Sequence, residues 1–381
     1  MQPKALVSKP AERYEELDSL RGVAALTVLF HHFRNMWTTP HHEPRILALA
    51  DPFTAGFSAV VLFFLLSGFV LSVPYLRGKG QPYGIYIVRR ILRIYAPYFF
   101  ALLLSVGGAA LWHGPLGHGE WADRTWLHPV NSHLVLAHVL MIGNYDWTQY
   151  NTAFWSLVIE MRVSIIFPVL FFLIYRMRPR NAIFVALCLY ISTVAVVSRW
   201  WWLDHSLRFL EYAAVFICGI VLATNIEKVN EWYRRQSLLK RVIFGCAAFV
   251  FYTGGHFLAT HLRLTAGFDE GFTTIGAIGY LVLALNSFPV RGVLRSSPAK
   301  FLGRISYSLY LVHGTVLFAL THALGNKVSV PVHFFLFLSG SLVLAYLFCL
   351  GIEEPFLRIS RQVSKMAKKR DTSLPPLVAA S

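Results

Sequence analysis

The 381 residues are 56% hydrophobic and only 14% charged, where a soluble globular domain carries about a quarter charged residues. A formal net charge of +16 invites a nucleic-acid reading, but the basic residues stand in short clusters between long apolar runs. That distribution excludes a continuous basic face for nucleic acid, and no Gly/Ser/Pro-rich linker divides the chain into soluble domains, so one polytopic membrane domain is expected.

A polar stretch of about eighteen residues precedes the first apolar run, and no small-residue cleavage site follows it, so the first helix is expected to be retained. About ten apolar runs are long enough, or nearly so, to cross roughly 30 Å of hydrocarbon. They cover 20–37, 55–76, 94–112, 154–175, 182–200, 207–225, 241–260, 271–288, 304–323 and 332–352. A weaker segment, 133–143, is too short to cross alone and reads as re-entrant or interfacial. Alternate loops carry the positive charge: Arg77 to Arg93, then Arg176 to Arg180, then Lys228 to Arg241, then Arg291 to Arg304, then the tail from Arg358. By the positive-inside rule that side is cytoplasmic and holds both termini. The expected fold is therefore an all-α integral membrane protein of about ten transmembrane helices, lodged in the cell (inner/plasma) membrane. Its parts are a cytoplasmic segment 1–16, a membrane domain 17–357, and a basic tail 358–381 that turns Ser/Pro/Ala-rich and is expected to be disordered or surface-associated. The four cysteines, Cys188, Cys218, Cys246 and Cys349, lie inside apolar runs without metal-type spacing or a disulfide framework, and read as small buried hydrophobes.

Several polar groups interrupt the apolar runs. Helix rise places His32 roughly 16 Å above Arg21, about halfway across the hydrocarbon, where an ionisable group is costly. A lone helical histidine is often a hydrogen-bonded packing residue, yet a neutral imidazole also suits general-base work on a hydroxyl. Its neighbour His31 points about 100° away around the helix, so the two do not face one cavity equally. Arg90 and Arg93 share a helical face, either as an ordinary positive-inside anchor or as a clamp for phosphates. Glu160 follows Trp155 and Ser156 near the start of the fourth span, and pairs with a cation or with the imidazole. Ser306, Tyr310 and His313 string hydroxyls and a second imidazole along the ninth span, where interhelical hydrogen bonding is the plainer role. His118 and Asp123 have an H-x4-D spacing, but in a polar loop without an accompanying motif. The His41-His42-Glu43 cluster has no further ligands nearby, so no metal site is expected.

Taken in order, these pieces resemble the acyltransferase-3 family of multi-pass membrane acyltransferases. They are Leu17-Asp18-Ser19-Leu20-Arg21-Gly22 with His32, Phe63-Phe64-Leu65-Leu66-Ser67-Gly68-Phe69, and Arg90-Ile91-Leu92-Arg93-Ile94 with Pro97. Phe154-Trp155-Ser156-Leu157 with Glu160, Ser306 to His313, and Glu354-Pro355-Phe356 complete the set. Ser19 stands where glycine is common, and Ala96 where proline is often seen; neither touches the implied chemistry.

The resemblance implies transfer of an acyl group, often acetyl, from a cytoplasmic donor such as acetyl-CoA to a hydroxyl of a carbohydrate or lipid-linked acceptor. It maps His32 to general base or covalent acyl carrier, with Arg21 and Glu160 as catalytic companions. It maps Arg90 and Arg93 to the CoA phosphates, and Trp155, Ser156, Ser306, Tyr310 and His313 to the acceptor path. Acyl-CoA is then a donor substrate, with no permanently bound cofactor. The expected partners are membrane lipid, acyl-CoA and the acceptor. A transporter or flippase of a lipid-linked sugar is the alternative from another class, but internal repeats of the kind transporters often show are not visible between the halves.

Overall fold

Lipid offers a buried backbone no hydrogen-bond partner, so long apolar segments must satisfy themselves as helices. The computed structural model describes residues 14–37, 53–262 and 268–373, and no strand occurs among them. In chain order the main helices are α1 (Glu15–Trp37), α2 (Gly56–Leu76) and α3 (Tyr83–Arg90), the last running through a π-helical turn (Ile91–Tyr95) into α4 (Ala96–Leu111). Then come α5 (Ser132–Leu140), α6 (Phe154–Ile174), α7 (Pro179–Arg199), α8 (Asp204–Thr224), α9 (Leu238–His261) and α10 (Phe268–Asn286). Next are α11 (Ser297–Leu324) and α12 (Val330–Phe348), and a second π-helical turn (Cys349–Glu353) leads into α13 (Glu354–Ser373). Proline opens α7, α11 and α12 in the first turn, where its missing N–H costs nothing. Ser296 caps α11 by accepting from the Ala299 N–H, and Asn131 caps α5 through the His133 and Leu134 N–H groups.

All ten apolar runs read from the sequence are helical here. By length and apolarity, eight helical stretches among the described residues can cross a membrane. A ninth is added if Asp269–Asn286 and Phe288–Leu294, bent by 86°, form one span. This trims the expectation of about ten. α1 is not among them, because Asp18, Arg21, His31, His32 and Arg34 dilute its apolar residues. The long helices nevertheless turn large apolar side chains outward: Phe172, Leu173, Phe184, Phe335 and Leu347 are each more than half exposed. Whole faces of this kind need an apolar cover. This is the architecture of a multi-pass membrane protein.

Inside the bundle, small residues let backbones touch. A Cβ on Gly22 would stand 2.4 Å from the Gly303 nitrogen, and one on Gly303 would stand 2.8 Å from the Asp18 carbonyl carbon. α1 and α11 therefore meet backbone to backbone near their starts, as membrane helices do where side chains are small. His32 lies as many residues beyond Gly22 as His313 lies beyond Gly303, roughly 15 Å of helix rise. The close approach sets the register in which the two histidines meet.

Two peripheral segments take helical form. Segment 133–143 is the short helix α5, held against α4 where the Tyr98 hydroxyl meets His138. The basic tail, expected from 358 to be disordered or surface-associated, is helical as α13 to Ser373, because the π-helical turn carries it on directly from α12. Residues 374–381 and the His41-His42-Glu43 cluster lie outside the described residues.

Candidate active site

His32 Nδ1 and His313 Nε2 are 2.8 Å apart, with the rings stacked at 5.0 Å and 24° between their planes. His313 is fully buried, and its Nδ1 lies 2.9 Å from the Leu309 carbonyl oxygen. A carbonyl only accepts, so that nitrogen carries the proton and Nε2 presents a lone pair. His32 Nδ1 must then be the donor between the rings, which leaves His32 Nε2 as a free acceptor. The Thr152 hydroxyl, 3.2 Å from the same His32 Nδ1, holds the imidazole from a second side. His31, one residue earlier, has both nitrogens engaged: Nδ1 donates to the Thr54 carbonyl at 2.7 Å, and Nε2 accepts from Asn35 at 3.1 Å. The free imidazole nitrogen belongs to His32.

His32 lines a cavity of about 170 Å³ with Trp121, Arg124, Thr152, Trp155 and Tyr310 in its wall. The Trp121 ring centroid lies 5.3 Å from that of His32. A second cavity of about 1030 Å³ spreads from Ser156 and Tyr310 toward the basic ends of the helices. Val60 and Tyr310 line both cavities and form the partition. Ser156 donates its one hydroxyl proton to the Ala153 carbonyl at 3.1 Å, so Tyr310 is the donor in their 2.6 Å contact.

The larger cavity collects Arg21, Arg90, Arg93, Glu160 and Ser306. Glu160 resolves onto the arginine rather than the imidazole: it accepts from Arg90 at 3.1 Å and from the Ser67 hydroxyl at 3.0 Å. Arg90 also donates to the Ser164 hydroxyl at 2.7 Å, so this guanidinium is held on a fixed course. Arg21 reaches Asp18 at 3.9 Å, one turn below it on the same helix. Arg93 sits in the π-helical turn and makes no ion pair among the described residues; such turns often mark functional sites. Ser306 donates to its own helix at Gly303. Removing Glu160 would strand a guanidinium that is only 7% exposed. Glu160→Ala is expected to cost about 3 kcal/mol, read as a lower thermal midpoint in detergent; an unchanged midpoint refutes the pairing.

The structure thus divides the sequence candidates into two groups. His32, Trp155 and Tyr310 line the small cavity with His313 against His32, and Arg21, Arg90, Arg93, Ser156, Glu160 and Ser306 line the large one. His313, read as part of the acceptor path, touches His32 directly. Sequence reasoning missed Thr152 and Asn151. Asn151 donates to the Leu311 carbonyl at 3.0 Å and straps the start of α6 to α11. It also missed Trp121 and Arg124, whose only signal was a Trp-rich loop. Asp123 accepts from the Leu116 and Gly117 N–H groups and so braces its own loop. His138, in α5, is kept neutral because burial lowers it to about 4, and it accepts from Tyr98. Among the described residues no group of three His, Cys, Asp or Glu side chains is placed to hold a metal ion.

The profile of a known acyltransferase domain matches residues 14–350, which takes in the small cavity and most of the large one. The chain belongs to the acyltransferase-3 family. The resemblance carried by the Arg21, Arg90 and His313 motifs is borne out, and the protein is an acyltransferase enzyme. It is 26% identical over 372 residues to O-acetyltransferase PaAT-1 of Phomopsis amygdali, covering 82% of this chain and 73% of that protein. It is 25% identical over 349 residues to nodulation protein 10 of Rhizobium leguminosarum bv. viciae, covering 80% of this chain and 83% of that protein. A Staphylococcus aureus (strain COL) protein, whose name provisionally assigns it as an O-acetyltransferase, is 24% identical over 370 residues. That match covers 89% of this chain and 56% of the relative, so the chain spans little more than half of it. No solved structure matches the chain.

Proposed function

We propose that this acyltransferase-3 protein is an O-acyltransferase embedded in the plasma (inner) membrane. It takes an acyl group, acetyl foremost, from acyl-CoA in the cytoplasm. It passes the group to a hydroxyl of a carbohydrate or lipid-linked acceptor from the opposite side. The observation that carries this reading is the meeting of two cavities at Tyr310, one basic and one bearing His32. Charge suits the basic cavity to the phosphates of a nucleotide thioester, with Arg90 and Arg93 as the clamp and Arg21 beside them. The small cavity, walled by Trp121 and Trp155, suits the acceptor.

In this reading His32 Nε2 takes the proton of the acceptor hydroxyl, and the oxygen attacks the thioester carbonyl. The carbon–sulfur bond breaks, and the leaving thiolate takes the proton back from His32, so no proton is gained or lost overall. His313 accepts the Nδ1–H of the imidazolium and keeps its ring facing the acceptor. Tyr310 stands where the acyl group must pass. The experiment incubates the purified protein in vesicles with radiolabelled acetyl-CoA and a panel of saccharide and lipid-linked sugar acceptors. Label should appear in ester linkage to an acceptor. Label that stays on CoA across the panel would remove acetyl-CoA as donor to these acceptors.

A further inference from the structure

α13 lies beyond the family match, which ends at residue 350, yet it forms part of the wall of the large cavity through Arg358, Ser360 and Arg361. It is docked there by specific contacts. Gln81 donates to the Ser364 hydroxyl at 2.6 Å, Arg89 reaches the Ser360 hydroxyl at 3.4 Å, and Arg304 donates to Glu354 at 2.6 Å. The cations around the cavity differ in what they face. Arg90 faces Glu160, Lys300 faces Glu15, and Arg304 and Arg358 share Glu354. Arg77, Lys79, Arg89, Arg93 and Arg361 also line it and make no ion pair among the described residues; Arg93 is within electrostatic reach of the Glu353 carboxylate, and of these five Arg361 is the one carried by α13.

A cavity of about 1030 Å³ is at the upper end of the roughly 300–1,000 Å³ that holds a drug-sized ligand, so it suits a long one. With the thioester of such a ligand at Tyr310, its polyanionic end falls in this basic region, where Arg361 carries no counter-charge among the described residues. We propose that α13 is part of the donor site and that Arg361, beside Arg358, holds a phosphate of the acyl-CoA nucleotide. This rests on the acyl-CoA donor proposed above. The same guanidinium would also accept the phosphate of an anionic lipid headgroup, so the test separates the two sources.

The full chain is placed in nanodiscs of phosphatidylcholine, which carries no net charge. CoA and phosphate-free pantetheine are then competed against radiolabelled acetyl-CoA. Arg361→Gln is expected to weaken CoA about tenfold, the loss of one charge-assisted contact, and to leave pantetheine unchanged. Arg361→Lys should recover most of the CoA affinity by keeping the charge. Equal losses for both competitors would mean that Arg361 only docks the helix, and no loss would remove it from the site; either overturns the proposal. A loss of CoA affinity seen in anionic phosphatidylglycerol discs but absent in phosphatidylcholine assigns Arg361 to lipid and overturns it as well. Wild-type protein that binds no acetyl-CoA overturns the donor reading itself, and α13's role with it.

Discussion

His32→Ala is expected to lower acyl transfer about a thousandfold at unchanged protein abundance in the membrane, in line with the 10²–10⁴-fold worth of a positioned general base. The reason is local: His32 Nε2 is the ring nitrogen of the stacked pair left open to the small cavity, since Nδ1 is committed to His313. The partner gives a graded companion test. His313→Gln retains an oxygen that can accept the His32 Nδ1–H, whereas His313→Leu leaves that N–H only the longer contact to the Thr152 hydroxyl at 3.2 Å. The glutamine variant should keep more of kcat than the leucine variant, with KM for the donor unchanged in each. Measured product per unit of membrane protein decides the matter. Normal product from His32→Ala at normal abundance removes the catalytic role, and equal kcat in the two His313 variants removes the positioning role.

The second large effect concerns Gly22, which touches neither cavity. A Cβ there meets the Gly303 nitrogen and the Leu302 carbonyl carbon at 2.4 Å each, distances that no flexible side chain can relieve, because the obstacles are backbone. Gly22→Val must push α1 away from α11. Overpacking of this sort costs about 1–3 kcal/mol. A displacement of about 1 Å at the reacting groups is worth about a hundredfold in rate. Gly22→Val is therefore expected to lose roughly a hundredfold in transfer and to melt earlier than wild type. Gly107→Ala is the control, since nothing lies within 4 Å of a Cβ there. Wild-type activity in Gly22→Val would show that the α1–α11 approach does not set the His32–His313 geometry.

The motifs located most of the site residues without bringing them together. Arg21, His32, Arg90, Arg93 and Glu160 were all legible, because each interrupts an apolar helix and an interruption can be read locally. Their partners were not. Glu160 had an imidazole and an arginine to choose from, and only the packing of α6 against α3 brings Arg90 to 3.1 Å. His313 was visible as a polar position on the ninth span, but its contact with His32 joins residues 281 apart in sequence. The helical form of the tail was not legible for a different reason. Its charge density reads as solvated, and the contacts that dock it come from Arg89 of α3 and from Gln81 just before that helix, both distant in sequence.

Amino-acid order by itself determined the helical class, the placement of the apolar spans, the alternation of basic loops and the family, since all of these are properties of contiguous residues. Only the tertiary structure decided which imidazole nitrogen is free, which cation Glu160 neutralises, that two cavities share Tyr310, and that α13 walls one of them. Those outcomes depend on backbone approaches such as Gly22 against Gly303, whose energy comes from contacts between helices and leaves no periodic trace in either helix alone.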